Sequence, residues 1–222
     1  MNKTELITHI RTLADELNEA PEGLFTDAEL GTFIDVARLK IELDLIEYIP
    51  WYFRKKKDFN FTKNKDSYSV TNDLSITDLF LFENIVKNES GKKPIPLIYL
   101  EDPSEELNDY GDAGDTGEPR VFWREGEDTI GVWPNPDNTY SYRAWYYQQI
   151  PKITDSIPLP EPLHELLALE VLLKWYIRDE NSVNYTKITT KYNEILMRGA
   201  YELQAAQGLT YRMRPSIKKS IN

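Results

Sequence analysis

Cysteine is missing from the 222-residue chain and histidine occurs only twice. Without cysteine there is no disulfide framework, no thiolate zinc site, no thiol nucleophile and no redox motif. The two histidines, His9 and His164, fall on different predicted helices with no second histidine at helical spacing. Neither a histidine metal site nor a histidine base therefore has a partner, and both read as surface or cap residues. No apolar run approaches the roughly 20 residues that a membrane span needs. Met1-Asn2-Lys3-Thr4-Glu5 opens an amphipathic segment rather than a signal peptide, so the expected compartment is cytosol-like. Basic charge is also in deficit: 37 acids against 26 Lys and Arg leave a net charge of −11. Phosphate affinity comes from clustered Lys and Arg, so the balance argues against dedicated DNA binding. A surface that lines a passage for DNA is a different case, because weak repulsion favours transit over adhesion.

Chemical motifs are equally scarce. There is no Gly-x-Ser-x-Gly elbow and no His-Glu-x-x-His pair, and Ser90-Gly91-Lys92-Lys93 lacks the upstream glycines of a phosphate loop. Residues 101–118 hold eight carboxylates, three glycines and no basic residue. In Asp109-Tyr110-Gly111-Asp112-Ala113-Gly114-Asp115-Thr116-Gly117-Glu118 the acids recur every third residue, whereas a calcium hand needs loop positions 1, 3, 5 and 12. A solvated acidic loop is the simpler reading. Carboxylate pairs for glycoside hydrolysis are too numerous among 37 acids for sequence to select one. The chain is thus expected to be no enzyme, with no catalytic residue, no cofactor and no metal.

The residues that are present spell out helices at both ends. Leu6, Ile7, Ile10, Leu13 and Leu17 form one stripe over about 4–18, stopping before Pro21 and Gly23. Thr26 and Glu29 make a capping box, with Phe25 placed to staple against Leu30. From there Leu30, Phe33, Ile34, Ala37, Ile41, Leu45 and Ile49 continue an apolar face to Pro50. Helices resume at Ile157-Pro158-Leu159-Pro160-Glu161-Pro162, with Leu163, Leu166, Leu167, Val171, Leu172, Trp175 and Tyr176 inward. A last helix spans about 183–207, with Tyr185, Ile188, Tyr192, Ile195, Leu196 and Leu203 inward and Gly208 as its cap.

Between the helices the texture is β. Tyr68-Ser69-Val70 and Pro96-Leu97-Ile98-Tyr99 look like short strands. Arg120-Val121-Phe122-Trp123, Thr129 to Trp133 and Thr139 to Gln148 read as three strands of an antiparallel meander, with Tyr140, Tyr142, Ala144 and Tyr146 on one face. The predicted fold is α+β: a bundle of four main helices, two N-terminal and two C-terminal, with an inserted antiparallel β-module and an extended C-terminal tail. Residues 1–50 and 158–208 supply the bundle, 51–157 the β-rich module and 209–222 the tail.

Three segments carry competing functional readings. The aromatics Trp123, Trp133, Tyr140, Tyr142, Trp145, Tyr146 and Tyr147 fit a sheet-to-helix core or a sugar-stacking platform. The platform reading makes the chain a tail-associated carbohydrate-binding or cell-wall-degrading module. The segment from Trp51 to Lys65 fits a loop anchored by its aromatics or a single-strand nucleic-acid platform of a packaging factor. Residues 209–222 have four basic residues and no acid. Tyr211, Arg212, Met213, Arg214, Ile217, Lys218 and Lys219 there alternate anchors with cations, and the segment fits either a disordered terminus or one that orders on a partner.

One resemblance spans most of this chain. The opening Phe25-Thr26-Asp27-Ala28-Glu29-Leu30 running into Phe33-Ile34-Asp35-Val36-Ala37 comes first. Trp133-Pro134-Asn135-Pro136-Asp137-Asn138-Thr139-Tyr140, then Trp145-Tyr146-Tyr147, then the closing helix pair, follow in order. This order is similar to that of the head-to-tail adaptor proteins of tailed bacteriophages, those of short-tailed and crAss-like phages in particular, over roughly 25–207. The resemblance implies a structural virion protein at the neck, in the host cytoplasm during assembly. It implies a dodecameric ring under the portal protein that continues the DNA conduit without binding the passing DNA specifically, docks a downstream tail or ring protein and touches no membrane. It also implies a C-terminal extension reaching the portal or a neighbouring subunit, a role that falls to Tyr211 through Lys219. Pro215 is incompatible with one long helix there.

Overall fold

The computed structural model of the chain describes residues 1–16, 26–88, 91, 93–107, 110–111, 114–154, 156–178 and 182–207. In chain order the helices are α1 (Lys3–Glu16), α2 (Asp27–Tyr48), α3 (Pro50–Phe53), α4 (Pro103–Glu106), α5 (His164–Arg178) and α6 (Ser182–Ala206). The strands are β1 (Arg54–Phe61), β2 (Ser67–Ser69), β3 (Leu79–Lys87), β4 (Ile95–Pro96), β5 (Ile98–Tyr99), β6 (Thr116–Gly117), β7 (Val121–Glu125), β8 (Thr129–Trp133), β9 (Asn135–Pro136) and β10 (Tyr140–Gln148). The chain divides into two compact units, Met1–Pro50 with Ile150–Asn222, and Trp51–Gln149.

In the helical unit two reciprocal caps start the first helices. Asn2 Oδ1 accepts the Glu5 N–H at 2.8 Å, and the Asn2 N–H donates to Glu5 Oε2 at 2.9 Å. Thr26 and Glu29 repeat the arrangement at the start of α2. The staple residue Phe25 and the cap Gly208 lie outside the described residues. Helix α5 is central: every residue from Leu166 to Leu173 is buried, and α1, α2 and α6 all pack on it. The inward stripe of α6 holds Ile188, Tyr192, Ile195 and Leu196, with Asn184 buried where Tyr185 was expected and Tyr185 exposed. A Cβ at Gly199 would come 2.6 Å from Leu163 Cδ2, so glycine there lets α6 close on the 3-10 turn Glu161–Leu163.

The β unit corrects the expected fold class. The molecule is not a four-helix bundle with an antiparallel insert, because residues 51–149 build three sheets around a core of their own. One sheet has the order β1-β10-β3-β4, the second β2-β8-β7-β5, and β6 pairs with β9. Two of the pairings, β5 with β7 and β6 with β9, are parallel. A cluster of fourteen buried residues fills this unit, drawing Phe59, Phe61, Ile85, Tyr142, Ala144 and Tyr146 from the first sheet and Tyr68, Phe122, Ile130 and Val132 from the second. Ring contacts between Phe61 and Tyr68 (4.7 Å) and between Phe82 and Phe122 (6.3 Å) tie the two layers together.

The expected meander also breaks. Strands β7 and β8 form the hairpin, Val121 opposite Trp133 and Glu125 opposite Thr129, around Gly126 at φ 71°. Strand β10 leaves that sheet and lies between β1 and β3, Arg54 opposite Tyr147 and Phe61 opposite Tyr140. The cause is local: Pro134 and Pro136 have no N–H to donate to a ladder continuing from β8. On β10 the alternation is as expected, with Tyr142, Ala144 and Tyr146 buried and Tyr140 half-buried. Two segments read as loops are structured. Trp51 to Lys65 contains part of α3 and all of β1, and 101–118 contains α4 and β6.

Candidate functional site

The titratable groups do not converge on a reaction centre. Among the described residues no group of three or more His, Asp or Glu is placed to hold a metal ion. His164 Nε2 lies 2.7 Å from the Leu159 carbonyl oxygen at the start of α5. A shallow depression on α6 is lined by Ser182, Val183, Thr186, Lys187 and Thr190, which include no carboxylate or histidine for proton transfer.

Two buried polar devices in the helical unit hold structure instead. On the buried face of α2, Glu42 Oε1 accepts the Ile150 N–H at 2.8 Å and Arg38 Nη1 donates to the Ile150 carbonyl. Both backbone groups of the residue where the chain re-enters this unit are thus gripped by one turn of helix. Burial pushes the Glu42 carboxyl up, against the lowering effects of the Ile150 N–H and the Arg38 charge. The second device joins α2, α5 and α6. Tyr192 donates to Asp44 Oδ2 at 2.7 Å, Lys40 pairs with Asp44 at 2.5 Å, and Glu170 lies 4.0 Å from Lys174. Burial raises the Glu170 carboxyl and the Tyr192 hydroxyl and lowers the Lys174 ammonium.

The segments singled out by sequence are placed as follows. Trp133, Tyr142 and Tyr146 are buried, while Trp123, Tyr140, Trp145 and Tyr147 are half-buried. They are split between two sheets and so make no single stacking platform. Trp123 covers Gly131 across the β7–β8 hairpin, where an added Cβ would fall 2.2 Å from the indole. In the basic segment, Phe53, Phe59 and Phe61 are core residues. Arg54 pairs with Glu83 (2.5 Å) and stacks over Trp145 (4.3 Å), Lys55 pairs with Asp78 (2.7 Å) and Lys65 with Asp73 (2.6 Å). With aromatics buried and half the cations neutralised, the segment is an edge strand and not a base-stacking surface. In the acidic segment Asp102 caps α4 through the Ser104 N–H (3.0 Å), and Glu118 pairs with Lys87 (2.7 Å). Asp109 and Asp112 lie outside the described residues, as do Tyr211, Arg212, Met213, Arg214, Ile217, Lys218 and Lys219.

Sequence reasoning missed the Arg38–Glu42 grip and a set of exposed apolar residues: Ile95, Ile98 and Tyr99 on β4 and β5, and Val36, Leu39 and Leu43 on α2. The α2 signal was available, since its apolar residues fall on both faces of the helix.

The model of the SU10 adaptor protein family matches residues 1–216. The chain belongs to this family. No curated protein matches it. The resemblance to phage head-to-tail adaptors, read from the order of weak motifs, is borne out at the level of the family. An adaptor of this family is a structural bacteriophage protein, which implies association with portal and tail proteins at the virion neck. Among the described residues no helix is long and apolar enough to cross a membrane.

Proposed function

We propose that this SU10-family adaptor acts through shape and self-association, as a dodecameric ring between the portal and the tail that continues the DNA conduit and docks a downstream tail or ring protein. The observation that carries the reading is the family match over 1–216. Physical features agree with it. The net charge of −11 suits a conduit that DNA crosses without adhering. The buried ionisable groups clamp helices and the returning chain rather than gather around a pocket. In this reading the chain performs no bond-making chemistry, and the segment carrying Tyr211, Arg212, Met213, Arg214, Ile217, Lys218 and Lys219 docks on the portal or on a neighbouring subunit, its cations meeting acidic rims. The test is electron microscopy of the purified chain mixed with portal rings. Coaxial adaptor rings are the expected image, and bare portals beside free monomers would refute the reading.

A further inference from the structure

The two edges of the β unit carry opposite charge. In the first sheet β1 is one edge and β4 the other; in the second, β2 is one edge and β5 the other. Along the β1 edge stand Arg54, Lys55, Lys56 and Lys57, with Lys63 just beyond the strand. Glu83 and Asp78 neutralise Arg54 and Lys55, so the net positive charge there is that of Lys56, Lys57 and Lys63. At the far side β4 and β5 expose Ile95, Ile98 and Tyr99 to 64%, 50% and 51%. From Tyr99 the chain runs through Leu100 directly into residues 101–118, with their eight carboxylates and no base.

Neither edge is fitted to take a further hydrogen-bonded strand. Pro94 and Pro96 have no N–H, and the N–H groups of Ile98 and Leu100 donate inward, to the carbonyls of Arg120 and Phe122 at 2.9 Å. A row of basic side chains guards β1 in the same way. Both edges are suited to side-chain contact. A contact of either edge with its own copy would set like charge against like, whereas one edge against the other sets Lys against Glu and Asp.

We infer that the β1 edge of one copy docks on the β4–β5 edge and acidic segment of the next, as a head-to-tail joint between second copies of this chain. The lysine stems of β1 then cover Ile95, Ile98 and Tyr99, while their ammonium groups meet the carboxylates of 101–118. This inference rests on the ring reading above and names the surfaces that close the ring.

Two charge-reversed variants test it, Lys56→Glu/Lys57→Glu and Glu101→Lys/Glu105→Lys, assembled with the portal and weighed by mass photometry. Each variant alone sets like charges at every joint and is expected to need at least tenfold more protein than wild type to assemble. A one-to-one mixture restores opposite charges at every joint by alternation, and its midpoint is expected within about threefold of wild type. Wild-type assembly is itself expected to weaken as salt rises from 0.1 to 0.5 M, an arm that stands even where a variant does not fold. Variants that assemble like wild type, a mixture no better than its parts, or salt-indifferent assembly would overturn the inference and leave the ring standing. Wild type that forms no ring on the portal would instead overturn the ring reading itself.

Discussion

Replacing Glu42 with alanine probes the grip on Ile150. Glu42 is fully buried, and so is Ile150 to within 2%. The substitution removes the acceptor of the Ile150 N–H and leaves Arg38 buried without its counter-charge. A hydrogen bond to a charged group contributes about 1.5–3 kcal/mol, and an orphaned buried N–H costs about 1–3 kcal/mol. Relief of the desolvated carboxylate, whose titration is already pushed up by burial, offsets part of that. The expected net loss is about 3 kcal/mol, large against the roughly 5–15 kcal/mol by which domains are stable. Glu42→Gln keeps an acceptor of similar shape and is expected to lose less than half as much. Urea unfolding at unchanged m-value measures the loss, and hydrogen exchange at the Ile150 amide locates it. A loss under about 1 kcal/mol for Glu42→Ala, with the Ile150 amide still protected, would refute the reasoning.

Two further changes test packing and charge. Gly131→Ala drives a Cβ into the Trp123 indole and is expected to cost about 1–3 kcal/mol in denaturant unfolding; adding Trp123→Val to relieve the clash should recover part of the loss. The pH dependence has opposite signs in the two units. Glu42 and Glu170 have raised carboxyls, so their stabilising contribution is full below the ordinary glutamate value and is lost as pH rises through the raised one. Glu170→Gln is therefore expected to match wild type near pH 4 and to exceed it at pH 7 by about 1 kcal/mol, as a one-unit shift implies. Asp58, Asp73 and Asp128 are lowered by hydrogen bonds from Arg143, Lys65 and Ser69, respectively. Their contribution is present above the ordinary aspartate value and disappears as pH falls through the lowered one, so acid should loosen the β unit first in hydrogen exchange.

What was legible in the sequence was local. The Thr26–Glu29 box, the inward stripe of α2, the β7–β8 hairpin and the alternation of β10 all rest on contacts a few residues apart, and each is found in the structure. The Asn2–Glu5 cap obeys the same spacing rule as Thr26–Glu29 and was overlooked because the helix was started two residues late. Strand order was beyond reach: Arg54 pairs with Tyr147 and Tyr142 with Lys87, and nothing in either segment names its distant partner. Arg38 and Glu42 looked like interruptions of an apolar stripe because their partner, Ile150, is 108 residues or more away along the chain. Tyr185 was placed inward by period alone, though Asn184 takes that position. The family was legible only as an order of motifs, none of which carries chemistry.

The account stands on self-association around the portal, and the mass of the assembled particle tests it most directly. Mass photometry of portal mixed with excess chain is expected to show one species heavier than the bare portal by twelve chain masses. A portal peak that does not move, beside chain that remains at its single-copy mass of 25.9 kDa, would contradict it.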